Sequence, residues 1–303
     1  MGIERVTTYA LFQSTLGNVA KVDAQLATLQ NQLSSGLKSS DFAGISANAN
    51  QYMQLEDRLA RMAQYQNSNS SIQTRIDTTD TVLGQVIETV NQLKNLISQK
   101  RSGALSDGSS FAALTDAVWQ TLVSQLNTTV QGRYLFSGGR TDTPPLDVDN
   151  FPDLPVNGVP DDSYYGGDQR DLVVRASDTI ELVYNVRANE DGFKKVFGAL
   201  ALAKQSIVSG SDDELAQAYD MASEGLEDVI STRAVVNSNK VSLQNINQEI
   251  TSLTTYWKGV RDDIAATDIV SASTQVAINQ SILQAAFQSF ARITSLRLAD
   301  YLS

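Results

Sequence analysis

Both ends of this 303-residue chain carry apolar side chains at helical spacing over many turns. The amino-terminal set recurs every three or four residues: Phe12, Leu16, Val19, Val22, Leu26, Leu29 and Leu33. The carboxyl-terminal set recurs every seven residues: Ile269, Val276, Leu283 and Phe290. This spacing predicts two long helices that coil around partners. The carboxyl-terminal segment has further apolar residues outside this seven-residue set: Ile278, Ile282, Ala285 and Leu296. One partner helix therefore cannot cover every apolar face.

The charge pattern of the two ends is as informative as their periodicity. Residues 6–37 contain only Lys21 and Asp23 as charged residues, and residues 265–303 contain only four charges. Residues 53–101, of similar periodicity, carry eleven. Because a surface helix normally shows a charged face to water, we expect the terminal helices to be buried on several sides. The predicted subunit-interface residues are Phe12, Leu16, Val19, Leu26, Leu29, Leu33, Ile269, Val276, Leu283, Phe290, Leu296 and Leu298.

Composition narrows the classes of function. The net charge of −11 and the absence of clustered Lys and Arg argue against nucleic-acid and membrane partners. The chain has neither Cys nor His, which excludes thiolate and imidazole metal sites and the Ser-His and Cys-His nucleophile pairs. We therefore expect no enzyme activity, no catalytic residue, no cofactor and no metal, although carboxylate-pair and Ser-Lys chemistry remain open. No cleavable signal or membrane-spanning segment is predicted.

One stretch in the middle of the chain interrupts the helical pattern. Helices are predicted at about 45–101 and 109–131, and all five prolines then fall between residues 144 and 160. Two strand patterns at 171–175 and 179–186 predict a hairpin, and helix resumes near Gly192 and continues to the end, with a pause at 209–212. Trp119 and Trp257 occupy helical core positions. The fold class is therefore mainly α with a small β insertion, in which N- and C-terminal segments form a long antiparallel helical bundle.

This pattern predicts three domains. Residues 1–40 and 265–303 form a terminal coiled-coil domain for polymerisation, residues 41–132 and 190–264 form a helical bundle, and residues 133–189 form an inserted outer β domain.

Four sequence segments resemble the bacterial flagellin family. The run from Gln32 to Lys38 (QLSSGLK), followed by Ala43-Gly44-Ile45, resembles the family's amino-terminal signature. Residues 132–139 (GRYLFSGG), 164–168 (YYGGD) and 295–302 (SLRLADYL) are similar to the family's junction members, which stand between hook and filament. The resemblance covers nearly the whole chain, but residues 37–42 are a few residues shorter than the flagellin pattern.

The resemblance implies a structural subunit of the flagellar axis. Its terminal helices would coil into the inner core of a homo-oligomeric ring or tube, with the β domain outside. Its partners would be neighbouring axial proteins, hook-associated protein 1 and flagellin among them, and a flagellar export chaperone. Such a chain is secreted unfolded through the type III channel to the extracellular flagellum, and its ends would fold only on assembly. A filament flagellin, and a secreted coiled-coil binding or host-interaction protein, are the alternatives.

Overall fold

The computed structural model describes residues 2–39, 48–149, 151–155 and 158–302, with side chains for residues 13–39, 48–149, 151–155 and 158–291. The helices are α1 (Gly2–Ser35), α2 (Ala49–Arg101), α3 (Gly108–Leu126), α4 (Asp191–Ser209), α5 (Asp212–Ala265) and α6 (Ile269–Leu302). The strands are β1 (Thr129–Val130), β2 (Arg133–Tyr134), β3 (Val173–Arg175) and β4 (Glu181–Val183). The predicted mainly α fold with a small β insertion is confirmed.

The chain divides into two compact units. Unit 1 comprises residues 1–60 and 254–303, and unit 2 comprises residues 61–253. The boundaries fall within α2 and α5. The three-domain division predicted from the sequence stays a prediction.

Unit 2 is built around a continuous apolar core. Helix α4 contributes Phe193, Val196, Phe197 and Leu200, all almost fully buried, at the spacing of one helical face. Facing side chains come from α2, α3 and α5, with the fully buried examples Leu83, Leu93, Ile97, Phe111, Leu122, Leu126 and Val229. The position of Gly225 explains how α4 and α5 come so close, because a Cβ there would lie 2.9 Å from the Gly192 carbonyl oxygen.

An aromatic cluster joins the β insertion to the helices of unit 2. Phe197 packs edge-on against Trp119, with ring centroids 5.2 Å apart, and against Tyr164, at 4.5 Å. The Trp119 indole donates to the Val148 carbonyl oxygen at 3.0 Å, and the Tyr164 hydroxyl donates to the Ala188 carbonyl oxygen at 3.0 Å. Trp119 is therefore a core residue, as the sequence predicts.

The insertion begins earlier than expected. Helix α3 ends at Leu126, and the prediction of helix to about residue 131 is wrong. The Asn127 side chain pairs with the backbone of Leu146 through two hydrogen bonds of 2.8 and 3.1 Å, which directs the chain away from the helix axis. Gln131 and Gly132 both have positive φ and form the tight turn between β1 and β2.

The second hairpin is the one that the sequence predicts. Strands β3 and β4 pair antiparallel, with Val174 opposite Leu182, but the ordered ladder is shorter than the two predicted runs. Val174 is buried while Val173 is half exposed, so the alternation follows the two faces of the hairpin.

Candidate assembly surface on the terminal helices

In unit 1, helices α1 and α6 pack along each other. The α6 side of the contact contains Ala272 and Asn279, each 6% exposed, together with the half-buried Val276, Leu283 and Phe290. The α1 side contains the half-buried residues Val19, Val22, Leu26, Leu29 and Leu33. Spacings of three and four residues place each set on one helical face. We call this contact the α1–α6 seam.

The structure places the predicted interface residues in three groups. Seven are half-buried on the α1–α6 seam: Val19, Leu26, Leu29, Leu33, Val276, Leu283 and Phe290. Leu16 and Ile269 are 44% and 58% exposed. Phe12, Leu296 and Leu298 lie outside the residues whose side chains are described. Contact of any of these residues with another subunit stays a prediction.

A backbone clasp holds the end of α1 against the junction of α5 and α6. The Lys38 amide donates to the Ala265 carbonyl oxygen at 2.7 Å, and the Thr267 amide donates to the Gly36 carbonyl oxygen at 2.8 Å. The Lys38 ammonium donates to the Ile264 carbonyl oxygen at 2.9 Å. These bonds satisfy carbonyls that a helix end leaves without an intrahelical partner. The turn requires a positive φ at residue 36, here +72°, and glycine adopts this conformation without strain.

The carboxyl-terminal half is interrupted at residues 266–268, which corrects the prediction of unbroken helix after the pause at 209–212. The Asp268 carboxylate accepts hydrogen bonds from the amides of Val270 and Ser271 at 3.0 and 3.1 Å, so it caps the start of α6. An aspartate directly before an apolar periodic run is a recognised start signal. This signal was available in the sequence.

The other face of α6 is apolar and uncovered. Thr274, Ala277, Ile278, Ser281, Ile282 and Ala285 line a groove of about 450 Å³, and we call them the α6 stripe. Ile278 is 48% exposed and Ile282 is 46% exposed. Ala277, Ser281 and Ala285, four residues apart, form a shallow row beside the two isoleucines. Rows of this spacing accept the ridges of another helix.

The α6 stripe lies in a segment of α6 without charged residues. Residues 269–291 contain no Asp, Glu, Lys or Arg. Val270 is 78% exposed and Phe287 is 61% exposed on the same helix. Exposed apolar surface of this kind is typical of interaction sites. The sequence had indicated that Ile278, Ile282 and Ala285 need a second partner, and the structure leaves these residues open to water.

The helices next to the clasp are held by side-chain contacts. The Arg58 guanidinium lies over the Trp257 ring, 4.6 Å from its centroid, and Arg261 pairs with Glu56 at 3.2 Å. Trp257 is half-buried, so its role is packing under a cation.

A polar crevice in unit 2 has a volume of about 470 Å³. Its cations already have carboxylate partners within the chain: Arg187 with Asp171 at 3.1 Å, Lys194 with Asp191 at 3.4 Å, and the adjacent Lys195 with Asp228 at 2.8 Å. Burial raises the pKa of Glu190 at the crevice wall. Of these pairs, the one between Lys195 and Asp228 connects α4 to α5.

Two features are absent from the described part of the chain. Among those residues, no group of three acidic, His or Cys side chains is arranged to hold a metal ion. Within the same ranges, none of the helices combines the length and hydropathy needed to cross a bilayer.

Comparison with known proteins identifies related chains. The family model for the bacterial flagellin N-terminal helical region matches residues 6–141. The chain is 22% identical to flagellar hook-associated protein 3 of Escherichia coli (strain K12) over 313 aligned residues, which cover 97% of this chain and 98% of that protein.

Solved structures with a similar fold include Bacillus cereus FlgL, with a TM-score of 0.56 and 19% identity over 69% of this chain and 99% of that one. They also include flagellar hook associated protein-3 from Legionella pneumophila, with a TM-score of 0.57 and 11% identity over 70% of this chain and 98% of that one. The resemblance to flagellins and the flagellin-like fold are thereby confirmed.

Proposed function

We propose that this chain is a structural axial subunit of a bacterial flagellum that joins the hook to the filament. The observation that carries the proposal is the match to hook-associated protein 3 of Escherichia coli, which extends over 97% of the chain and includes both terminal helices. A match restricted to residues 6–141 would have suited a filament flagellin equally well. The function is mechanical, and no catalytic step is assigned.

The terminal helices supply the assembly surface in this proposal. The α1–α6 seam uses one face of each helix within the subunit, and the α6 stripe remains for a neighbouring copy. Full burial of an isoleucine contributes about 1.5–3 kcal/mol. Since Ile278 and Ile282 are each about half exposed, covering both contributes roughly 2 kcal/mol per contact. One such contact is weak, but its repetition around a ring or tube makes assembly cooperative.

The remaining partners follow from the same position in the axis. We propose that the subunit forms a homo-oligomeric ring or tube and contacts hook-associated protein 1 and flagellin on either side. We also propose that a flagellar export chaperone delivers it for type III secretion to the extracellular flagellum. Folding of residues 1–40 and 265–303 only on assembly stays part of the proposal, and amide exchange on the purified monomer tests it.

The decisive experiment replaces Ile282 by aspartate. This residue is preferable to Leu283, because a charge at Leu283 would also disturb the α1–α6 seam, on which Leu283 lies. I282D leaves the α1–α6 seam and unit 2 unchanged, but assembly must place a carboxylate in an apolar contact at a cost of several kcal/mol. We expect the variant to be secreted and to be absent from sheared flagella, with loss of motility.

The matched control is Gln280→Asp, an exposed polar position outside the α6 stripe. It introduces the same charge on the same helix and should assemble normally. Normal incorporation of I282D would refute the assignment of the α6 stripe. Growth of long filaments from seeds by the purified chain would instead favour the filament flagellin. A chain that neither assembles nor locates to the flagellum would favour the secreted binding protein.

A further inference from the structure

A series of polar pairs connects α2 and α5 along unit 2. The Gln66 amide donates to Thr251 Oγ1 at 3.2 Å, and the Asn69 amide donates to Asn247 Oδ1 at 2.9 Å. Further along, Lys240 pairs with Asp77 at 2.8 Å, and the Asn237 amide donates to Asp80 at 3.1 Å. As the residue number on α2 increases from one pair to the next, the residue number of its partner on α5 decreases by the same amount, to within one residue. We call this series the polar ladder.

The apolar contacts beside the polar ladder would tolerate another alignment. The buried residues of α2 and α5 are mainly Leu, Ile, Val and Ala at spacings of three, four and seven: Ile76, Leu83, Val86, Val90, Leu93, Ile97, Leu215, Ala218, Ala222, Leu226, Val229, Val236, Leu243, Ile246 and Ile250. A shift by one helical turn replaces one aliphatic contact by another of similar size, which cores accept at small cost. Apolar packing alone therefore specifies the register weakly.

The polar ladder does not tolerate the same shift. A displacement of α5 by four residues in one direction brings Leu243 opposite Asn69 and Val236 opposite Asp77. The opposite displacement brings Val241 opposite Asp80. In each case a polar group that is now paired would face an aliphatic side chain, and the cost is greatest at Asn69, which is fully buried.

Asn69 is the most constrained member of the polar ladder. It is fully buried, and its Nδ2 donates both to Asn247 and to the Ala176 carbonyl oxygen, each at 2.9 Å. Ala176 begins the turn between β3 and β4 and is itself fully buried. One side chain thus connects α2, α5 and the hairpin. Its Oδ1 accepts no hydrogen bond, so one buried acceptor of this side chain is left unsatisfied.

We propose that Asn69 is a positioning residue that fixes the α2–α5 register and the place of the β3–β4 hairpin along the two helices. Single polar residues in apolar helical contacts specify register in this way at a cost in stability. The proposal concerns the isolated chain. It is independent of the assembly surface and of the flagellar function.

The test measures register directly in Asn69→Leu. The chain has no cysteine, so two introduced cysteines can be spin-labelled selectively. Thr81→Cys and Gln248→Cys place the labels at exposed positions on α2 and α5. Pulsed electron–electron double resonance then measures the distance between the two labels. A shift of one turn changes the axial offset by about 5 Å. We expect one distance in the labelled parent and a second population, longer or shorter by about 5 Å, in the N69L background.

The matched control is Asn91→Leu, the same change at an exposed site on α2 outside the polar ladder. It should keep the parent distance. A folded N69L protein with only the parent distance would overturn the proposal. If N69L loses its helical circular dichroism, Asn247→Leu removes the half-buried partner of Asn69 instead. A second distance population in this variant would support the proposal, and the parent distance alone would overturn it.

Discussion

Replacing Phe197 by leucine tests how much of the stability of unit 2 comes from its aromatic cluster. The ring is fully buried and makes two edge-on contacts, with Trp119 at 5.2 Å and Tyr164 at 4.5 Å. Each such contact contributes about 0.5–1.5 kcal/mol beyond burial, whereas leucine retains most of the apolar area. We therefore expect the free energy of unfolding of unit 2 to fall by about 2 kcal/mol.

The measurement is urea unfolding followed by tryptophan fluorescence. The chain has two tryptophans, so a Trp257→Phe background leaves Trp119 in unit 2 as the reporter. With a urea slope of about 2 kcal/mol per M, the midpoint should fall by about 1 M at unchanged slope. Phe287→Leu is the control, because this ring is 61% exposed and its loss should change stability by less than about 0.5 kcal/mol. Equal midpoints for F197L and F287L would refute the reasoning.

Two further changes probe the clasp and an ion pair. Gly36 has a φ of +72° with open space around its Cα, so in the assembled protein Gly36→Ala should destabilise unit 1 by about 1–2 kcal/mol through backbone strain, while Gly36→Asn should cost less in thermal unfolding. Arg233 donates to Asp80 at 2.7 Å, and this bond lowers the pKa of the Asp80 carboxyl. Such a carboxyl stabilises the fold above its unfolded pKa of about 3.9 and loses this contribution as the pH falls. Arg233→Gln should therefore lower the melting temperature at pH 7 and have less effect at pH 3, and an equal effect at both pH values would contradict the assignment.

The helices of this chain were largely predictable because their signals are local. Periodicity over five or more turns marks α2, α5 and α6, and the proline-rich stretch marks the insertion. The end of α3 was not predictable in the same way. Leu126 and Val130 continue the apolar spacing, but Asn127 binds the backbone of Leu146, nineteen residues away. A contact at that distance has no local sequence signature.

The candidate assembly surface depends on which apolar faces the subunit itself uses. Helical spacing and missing charge indicated that the terminal helices bury more than one face. Spacing could not say which face is used inside the subunit. The structure assigns Leu29, Leu33 and Val276 to the α1–α6 seam and leaves Ile278 and Ile282 exposed. The residues chosen for their regular spacing are thus mainly those that hold α1 and α6 together.

Periodicity and charge are properties of each segment, so helix type, amphipathic faces and the site of the insertion could be deduced from the order of residues alone. Pairing is a property of two segments and depends on where the chain returns. Whether Asn69 meets Asn247, or α6 turns Leu283 rather than Ile282 toward α1, is settled by packing and hydrogen bonds between residues far apart in sequence.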